Sequence, residues 1–219
     1  MQHLFAPGCA LLIERPHLAK RMLAVLKQTI PETAVHTICC RHSPKFAAPT
    51  RIVNTCPGCD RRYRELGDGV TTVSFWEVLA ASDSFPFPDY GGQPMTILDA
   101  CPTRDQIRVH KAVRTLLERM NIALVEPKHT GASSVCCGDS FFGILPTKEV
   151  KERMRSRATE MPADEVVVYC VSCVKSMHIG GKRPRYLVDL LFGEETLAGT
   201  CEPEAWHAEL DAFIAARAG

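Results

Sequence analysis

Apolar and polar positions along this chain alternate between two periods, and they do so twice in the same order. Leu4-Phe5-Ala6 is a short apolar run that ends close to Cys9, short enough for a buried strand. From Arg15 to Thr29 the apolar positions Leu18, Met22, Val25 and Leu26 fall at helical spacing, with Pro16 suited to the first turn and Pro31 closing the segment. Ala34 to Ile38 and Arg51-Ile52-Val53 read as short strands. Asp60 to Leu66 reads as a charged helical turn, followed by a Gly67-Asp68-Gly69 break and by Thr71–Ser74 and Phe75–Leu79. From Met95 the order repeats: a strand to Leu98, then an amphipathic helix from Thr103 to Met120 carrying Ile107, Val109, Val113, Leu116 and Leu117. A strand over Ile122–Val125, a helix over Thr147–Thr159 begun by Pro146, and an apolar strand over Glu165–Tyr169 follow. Tyr186–Leu191 echoes Phe75–Leu79 at the matching place. Ser82 to Pro94, rich in Pro, Gly, Asp and aromatics, reads as loop. Pro203 to Ala216 reads as an amphipathic helix with Trp206, Leu210 and Phe213.

Strands alternating with helices point to an α/β fold with parallel sheets. The repetition predicts an internal duplication: two small parallel-sheet α/β units, pseudo-twofold related, plus a C-terminal helix. The expected boundaries are 1–81 for the first repeat, 82–94 for a linker, 95–195 for the second repeat and 196–219 for a helical tail. Ligands of such sheets gather at the C-terminal ends of the strands, and Cys9, Cys39, Cys56, Cys101 and Cys170 each follow a predicted strand.

Composition narrows the function classes. Hydrophobic residues make up 46% and charged residues 23%, and the net charge is +1. That balance is globular and gives no global field for nucleic acid or membrane. Arg61-Arg62, Arg153 to Arg157 and Lys182-Arg183 lie beside acids or on helices expected to be exposed, and read as solvated faces. The opening Met1 to Cys9 lacks the basic start and long apolar run of a signal peptide, and no stretch approaches the ~20 apolar residues of a spanning helix. The expectation is a cytoplasmic protein without a membrane span, in a reducing compartment where dense cysteine argues for metal or redox chemistry over disulfides.

Ten of the eleven cysteines form two sets in one order, C…CC…CxxC. The first is Cys9, Cys39-Cys40, Cys56-Pro-Gly-Cys59. The second is Cys101, Cys136-Cys137, Cys170-Val-Ser-Cys173. Thiolate sulfur selects zinc, copper(I) or iron–sulfur clusters. Five sulfurs exceed the four of a structural zinc site or of an ordinary cubane cluster, and the two CxxC pairs are far from zinc-ribbon spacing. Adjacent cysteines in a regular strand point to opposite faces, so the backbone must turn for both to reach one cofactor, or the two sulfurs must meet different irons. Gly138, directly after Cys136-Cys137, suits such a turn, and Pro57-Gly58 suits a tight turn with free amides aimed at sulfur. Cys201 stands outside both sets and reads as a bystander.

The order of cysteines resembles that of the cysteine-rich CCG-domain family of heterodisulfide reductase-like iron–sulfur proteins, over about residues 3 to 195. The domain also occurs in iron–sulfur components of anaerobic glycerol-3-phosphate dehydrogenase, glycolate oxidase and lactate-utilisation systems. The resemblance implies two noncubane 4Fe-4S clusters, one per repeat. One would be held by Cys9, Cys39, Cys40, Cys56 and Cys59, the other by Cys101, Cys136, Cys137, Cys170 and Cys173. It implies reductive cleavage or formation of a disulfide at these clusters, a small thiol or disulfide substrate, and electrons from a separate ferredoxin-like or flavoprotein partner. The chain departs from the pattern in places. Arg41 rather than glycine follows the first pair, 15 residues separate Cys40 from Cys56 against 32 between Cys137 and Cys170, and the second pair continues Gly138-Asp-Ser-Phe-Phe. His36, His129 and His178 flank the cysteine segments and are candidate proton donors or hydrogen-bond partners of cluster sulfur, weighed against plain surface roles. Lys175 and Arg41 are weighed between favouring an anionic substrate and being solvated, the latter preferred. Two other readings are carried: a non-catalytic electron-transfer component of a dehydrogenase complex, which would ignore thiols, and a structural zinc protein, which would be colourless.

Overall fold

The computed structural model describes residues 1–47, 49–67 and 69–217. Asp68 of the Gly67–Gly69 break and the last two residues of the tail lie outside the described residues. Spatial contacts divide the chain into one unit of Met1–Phe85 with Ala208–Gly219 and a second of Pro86–His207.

The first unit runs β1 (Gln2–Ala6), α1 (Cys9–Glu14), α2 (Pro16–Thr29), β2 (Ala34–Val35), β3 (Thr50–Asn54), α3 (Pro57–Arg64), β4 (Val70–Ser74) and α4 (Phe75–Ala80). Its sheet is parallel throughout, in the order β2-β1-β3-β4. The second unit runs β5 (Gln93–Leu98), α5 (Ile107–Arg119), β6 (Ile122–Val125), α6 (Thr147–Thr159), β7 (Glu165–Val168), α7 (Val171–Ile179), β8 (Arg183–Tyr186) and α8 (Leu187–Leu191). Its sheet, β6-β5-β7-β8, is parallel and has the same order. A last helix, α9 (Pro203–Ala215), closes the chain. The α/β duplication expected from the sequence is the fold.

The central strands are covered on both faces. Leu4, Phe5, Ala6, Ile52 and Val53 are buried in one unit; Met95, Ile97, Leu98, Val166, Val167 and Val168 are buried in the other. Such continuous apolar runs are what parallel sheets require. Helix α2 buries Leu18, Ala19, Met22 and Leu26; α5 buries Val109, His110, Ala112, Val113, Leu116 and Leu117, one stripe each. Pro16 and Pro57 open α2 and α3 at positions where the missing N–H costs nothing. The α4 N-terminus is closed by a capping box: Glu77 N–H donates to Ser74 Oγ at 3.1 Å, and Ser74 N–H donates to Glu77 Oε2 at 3.0 Å.

Several elements differ from the sequence expectation. The strand expected over Ala34–Ile38 stops at Val35, because the chain turns to bring Cys39 and Cys40 inward. The helix expected from Thr103 begins at Ile107, after a separate 3-10 turn over Cys101–Thr103. Helix α7 follows Cys170 directly, and β8 forms over Arg-Pro-Arg-Tyr; the apolar pattern announces neither. Among the described residues, no helix is long and apolar enough to cross a membrane.

Each sheet reverses its winding between its two central strands: the chain goes from the first strand to one side, then crosses to the other. The crevice at such a reversal, beyond the strands' C-terminal ends, is where α/β sheets take ligands. Cys9 and Cys56 follow β1 and β3; Cys101 and Cys170 follow β5 and β7. Both switch points are therefore lined by cysteine.

Candidate functional site

In each unit the five cysteines of one set meet. In the first, Cys9 Sγ lies 3.7 Å from Cys39 Sγ, and Cys40 Sγ lies 3.4 Å from Cys59 Sγ. The proton affinities of Cys39 and Cys40, and of Cys59 and Cys56, are coupled through their neighbouring thiols. The thiols thus form a ladder, Cys9–Cys39–Cys40–Cys59–Cys56. In the second unit the thiols influence one another's proton affinities in the matching order, Cys101–Cys136–Cys137–Cys173–Cys170. All ten are free thiols, none in a disulfide.

Local backbone explains how adjacent cysteines share a site. Cys39 is extended (φ −67°, ψ 139°), and Cys40 begins a 3-10 turn that ends at Ser43 with φ 46°. Two neighbouring residues with different conformations no longer point to opposite faces. In the second unit Gly138 takes the turn, at φ 110°. A side chain there would bring Cβ within 3.0 Å of the Met154 backbone nitrogen, so the position needs glycine on both counts. Where the first unit has Arg41 instead, the left-handed residue falls later, at Ser43.

The CxxC segments are helix N-termini. Cys56 caps α3 and Cys170 caps α7, placing Cys59 and Cys173 in the first turns. Unpaired amides and the helix dipole there favour negative sulfur. The Cys59 thiol, and after it the nearby Cys59 and Gly58 amides, hold the proton affinity of Cys56 down to about 7 against burial, although Cys56 makes no side-chain cap hydrogen bond. Gly8 (φ 82°) lets β1 run close to this corner, since a Cβ on it would stand 3.0 Å from Cys56 Cβ.

Proton affinities follow the ladder. Cys39 is pulled far down because the Cys40 thiol, and then the Cys9 thiol, donate to it. Those two donors are pushed up by the same bonds, and burial adds to the rise. In the second unit Cys136 is the acceptor, pulled down by Cys101 and Cys137, with Ser140 Oγ at 2.9 Å and the Gly138 amide at 3.4 Å as further partners. The downward pull is strongest at the first member of each adjacent pair, Cys39 and Cys136, and in the first set Cys56 is lowered as well. Five thiolates side by side repel, so deprotonating a whole set near neutral pH would need a compensating positive charge such as that of a metal.

Among the described residues, no group of three or more His, Cys, Asp or Glu side chains already stands in a metal-ligand arrangement. The donor chemistry nevertheless fits a soft thiophilic centre. The sulfurs are gathered, their strongest hydrogen-bond partners are mostly one another, and amides from helix starts and turns face them.

The remaining candidates separate clearly. His36 lines a small cavity of the first unit with Cys9, Cys39, Cys40, Cys59 and Tyr63. Its Nε2 is buried and has no hydrogen-bond partner among the described residues; burial lowers its proton affinity, against a backbone bond at Ile38 that raises it. His178 is exposed on α7 and lines a different cleft of the second unit, about 600 Å³, with Lys182, Arg185 and Glu165; no cysteine lines that cleft. His129 gives its backbone carbonyl to Arg157 at 2.9 Å. Arg41 donates its amide to Cys39 Sγ at 3.5 Å while its guanidinium pairs with Asp211 at 2.6 Å. Cys201 donates to the Ala198 carbonyl at 3.3 Å, away from both ladders.

Two solvated readings are corrected. Lys175 is buried, 1% exposed; its Nζ donates to the Ala198 carbonyl at 2.6 Å and lies 4.6 Å from the Trp206 ring centre. Its long stem follows the buried face of α7, a helix the apolar pattern does not reveal. Arg157 is likewise buried, held by Glu160 and the His129 carbonyl, because α6 turns that position toward its neighbours.

A polar cluster without a recognisable motif adjoins Cys101. Asp99, Thr103, His110, Arg114 and Tyr169 hydrogen-bond one another in the interior of the second unit. An aspartate at the end of an apolar strand, two residues before a cysteine, is its only sequence signal. Asp99 is pushed up by burial, but Arg114 and the Gly131 amide outweigh this and hold it below the usual carboxylate range. No protein-family model matches the chain, and no curated protein does.

Proposed function

We propose that the chain is an iron–sulfur oxidoreductase whose two five-cysteine sets each hold one noncubane 4Fe-4S cluster and whose substrate is a small disulfide or its thiol pair. One observation carries this reading: the same five-thiol ladder, built twice, at the switch points of two parallel sheets. A cluster held by these cysteines would supply single electrons and thiophilic iron. The overall change cleaves one S–S bond with two electrons and two protons to give two thiols, the electrons coming from a redox partner protein. The chain's own groups hold and tune. The helix start at Cys56 brings amides near its sulfur, Ser140 and the Gly138 amide face Cys136, and His36 Nε2 beside the first set can hold a proton. A cytoplasmic setting belongs to the same reading.

The test begins with protein purified without air. Iron, acid-labile sulfide and zinc are measured per chain, and spectra are recorded before and after adding a thiol or a disulfide. About eight irons and eight sulfides, with spectra that respond to thiol, support the reading. The same content with spectra indifferent to thiols makes the chain an electron-transfer component. Zinc without iron makes it a thiolate-zinc scaffold and ends the redox reading.

A further inference from the structure

The two ladders are alike, but the loops that carry them are braced differently. In the second unit the fully buried Asp99 carboxylate accepts from Arg114 Nη1 at 3.0 Å and Nη2 at 2.8 Å, Thr130 Oγ1 at 3.0 Å, the Gly131 amide at 2.7 Å and Tyr169 OH at 3.0 Å. Its backbone carbonyl accepts from Ser134 Oγ at 2.6 Å. Tyr169 OH in turn accepts from the Ala100 amide at 3.1 Å and meets Thr103 Oγ1 at 2.9 Å. Asp99 and Ala100 lead into Cys101, Ser134 precedes Cys136 by two residues, and Tyr169 immediately precedes Cys170. One carboxylate therefore ties together the three loops from which the second set is built.

The first unit has Pro7, Thr37 and Thr55 at those places. Thr55 Oγ1 donates to the Pro7 carbonyl at 2.7 Å and joins two of the loops. The loop of Cys39 and Cys40 is tied to β1 by one backbone bond, His36 N–H to the Phe5 carbonyl at 2.8 Å, and to α9 through the exposed Arg41–Asp211 pair and through His42 Nε2 to the Ile214 carbonyl at 3.1 Å. Exposed ion pairs hold little, whereas charge-assisted bonds to a buried carboxylate are strong.

We propose that Asp99 is a positioning residue that preassembles the second cysteine set before metal arrives, and that the first set, where the carboxylate of the buried Asp60 bonds only Asn54 and Arg64 and no carboxylate among the described residues joins all three loops, is assembled by the metal itself, so the second site fills first. The filling order rests on the metal-binding reading above; the preassembly does not. Ligands already held in place lose less entropy on binding.

The test uses full-length, reduced, metal-free protein. Cysteines are alkylated with iodoacetamide and the rate at each is read by peptide mass spectrometry, alongside hydrogen exchange at the Ala100 and Gly131 amides. Cobalt(II) is then added stepwise, its thiolate charge-transfer band is followed, and protection from alkylation shows which set has bound. In the native chain the first equivalent protects the second set. In Asp99→Asn, alkylation of Cys101, Cys136 and Cys170 rises about tenfold, Ala100 and Gly131 lose protection, the first set is unchanged and cobalt loses its preference. Tyr169→Phe, which keeps the ring, moves the same readouts about threefold and carries the test if the first variant does not fold. Second-set rates unchanged in both variants, or both sets moving together, overturn the inference; so does a native chain that fills the first set first. If neither set takes cobalt while the second-set rates shift alone, preassembly stands and the iron–sulfur reading falls.

Discussion

Gly138 and Gly58 both lie beside cysteines, yet substitution should separate them sharply. Gly138 has φ 110°, and an added Cβ would stand 2.8 Å from Met154 Cγ and 3.0 Å from the Met154 backbone nitrogen. Gly138→Ala is expected to cost about 3 kcal/mol through strain and displacement of α6, read as a lowered urea midpoint. Gly58 lies in the first turn of α3, and a Cβ there meets only Cys56 Sγ at 3.8 Å. Gly58→Ala should stay within about 0.5 kcal/mol of the native chain, since restricting the unfolded chain helps it. Lys175 makes a second residue-scale case. Lys175→Met keeps the aliphatic stem but leaves the Ala198 carbonyl without its charged donor and removes the cation from the Trp206 face. The expected loss is about 2 kcal/mol by denaturant unfolding; a solvated lysine would show none.

At the scale of the element, α5 carries a histidine in its buried stripe. Burial lowers the proton affinity of His110, with Asp99 pulling it up and Arg114 pushing it down. Its folded value lies below that of a free imidazole, so the unfolded chain binds more protons as pH falls below about 6.5. Stability present above that pH is lost as pH falls toward the folded value, and His36 has the same sign. The urea midpoint should drop between about pH 7.5 and about pH 5.5, and drop less in His110→Gln; an equal drop would remove His110 from the account. The elements also show what sequence can tell. Strands such as Met95–Leu98 and Glu165–Val168 are legible because burial on both faces demands uninterrupted apolar runs, and α2 and α5 because one face alone is buried. Helix α7 is hidden: Val171, Cys173, Val174, Lys175, Ser176 and Met177 are all buried, so no polar face alternates with an apolar one. Strand β8 is hidden behind Arg183, Pro184 and Arg185 at a sheet edge, where proline is tolerated. At the site, the cysteine order is legible because each set recurs; the Asp99 cluster is not, because its members are scattered from Asp99 to Tyr169 and only folding brings them together.

At the scale of the whole molecule, the duplication has a consequence for metal content. Each ladder is closed within one unit: every thiol of the first set belongs to Met1–Phe85, and every thiol of the second to Pro86–His207. Cys40 and Cys137 occupy the middle of their ladders, each touching a neighbour on either side. Removing the middle rung divides a set of five into two smaller groups and leaves the other set intact. Under the iron–sulfur reading, Cys40→Ala should lower iron from about eight to about four per chain, Cys137→Ala should do the same, and the double variant should bind almost none. The two single variants should then display different residual spectra, since Ser140 and Gly138 face sulfur in one set and Arg41 in the other. Iron content and absorption of the three anaerobically purified variants check this directly. Unchanged iron and spectrum in Cys137→Ala would sink the ligand assignment for the second set. Loss of all iron in either single variant would show that the sets do not fill independently, and would contradict the closure of each ladder within its own unit.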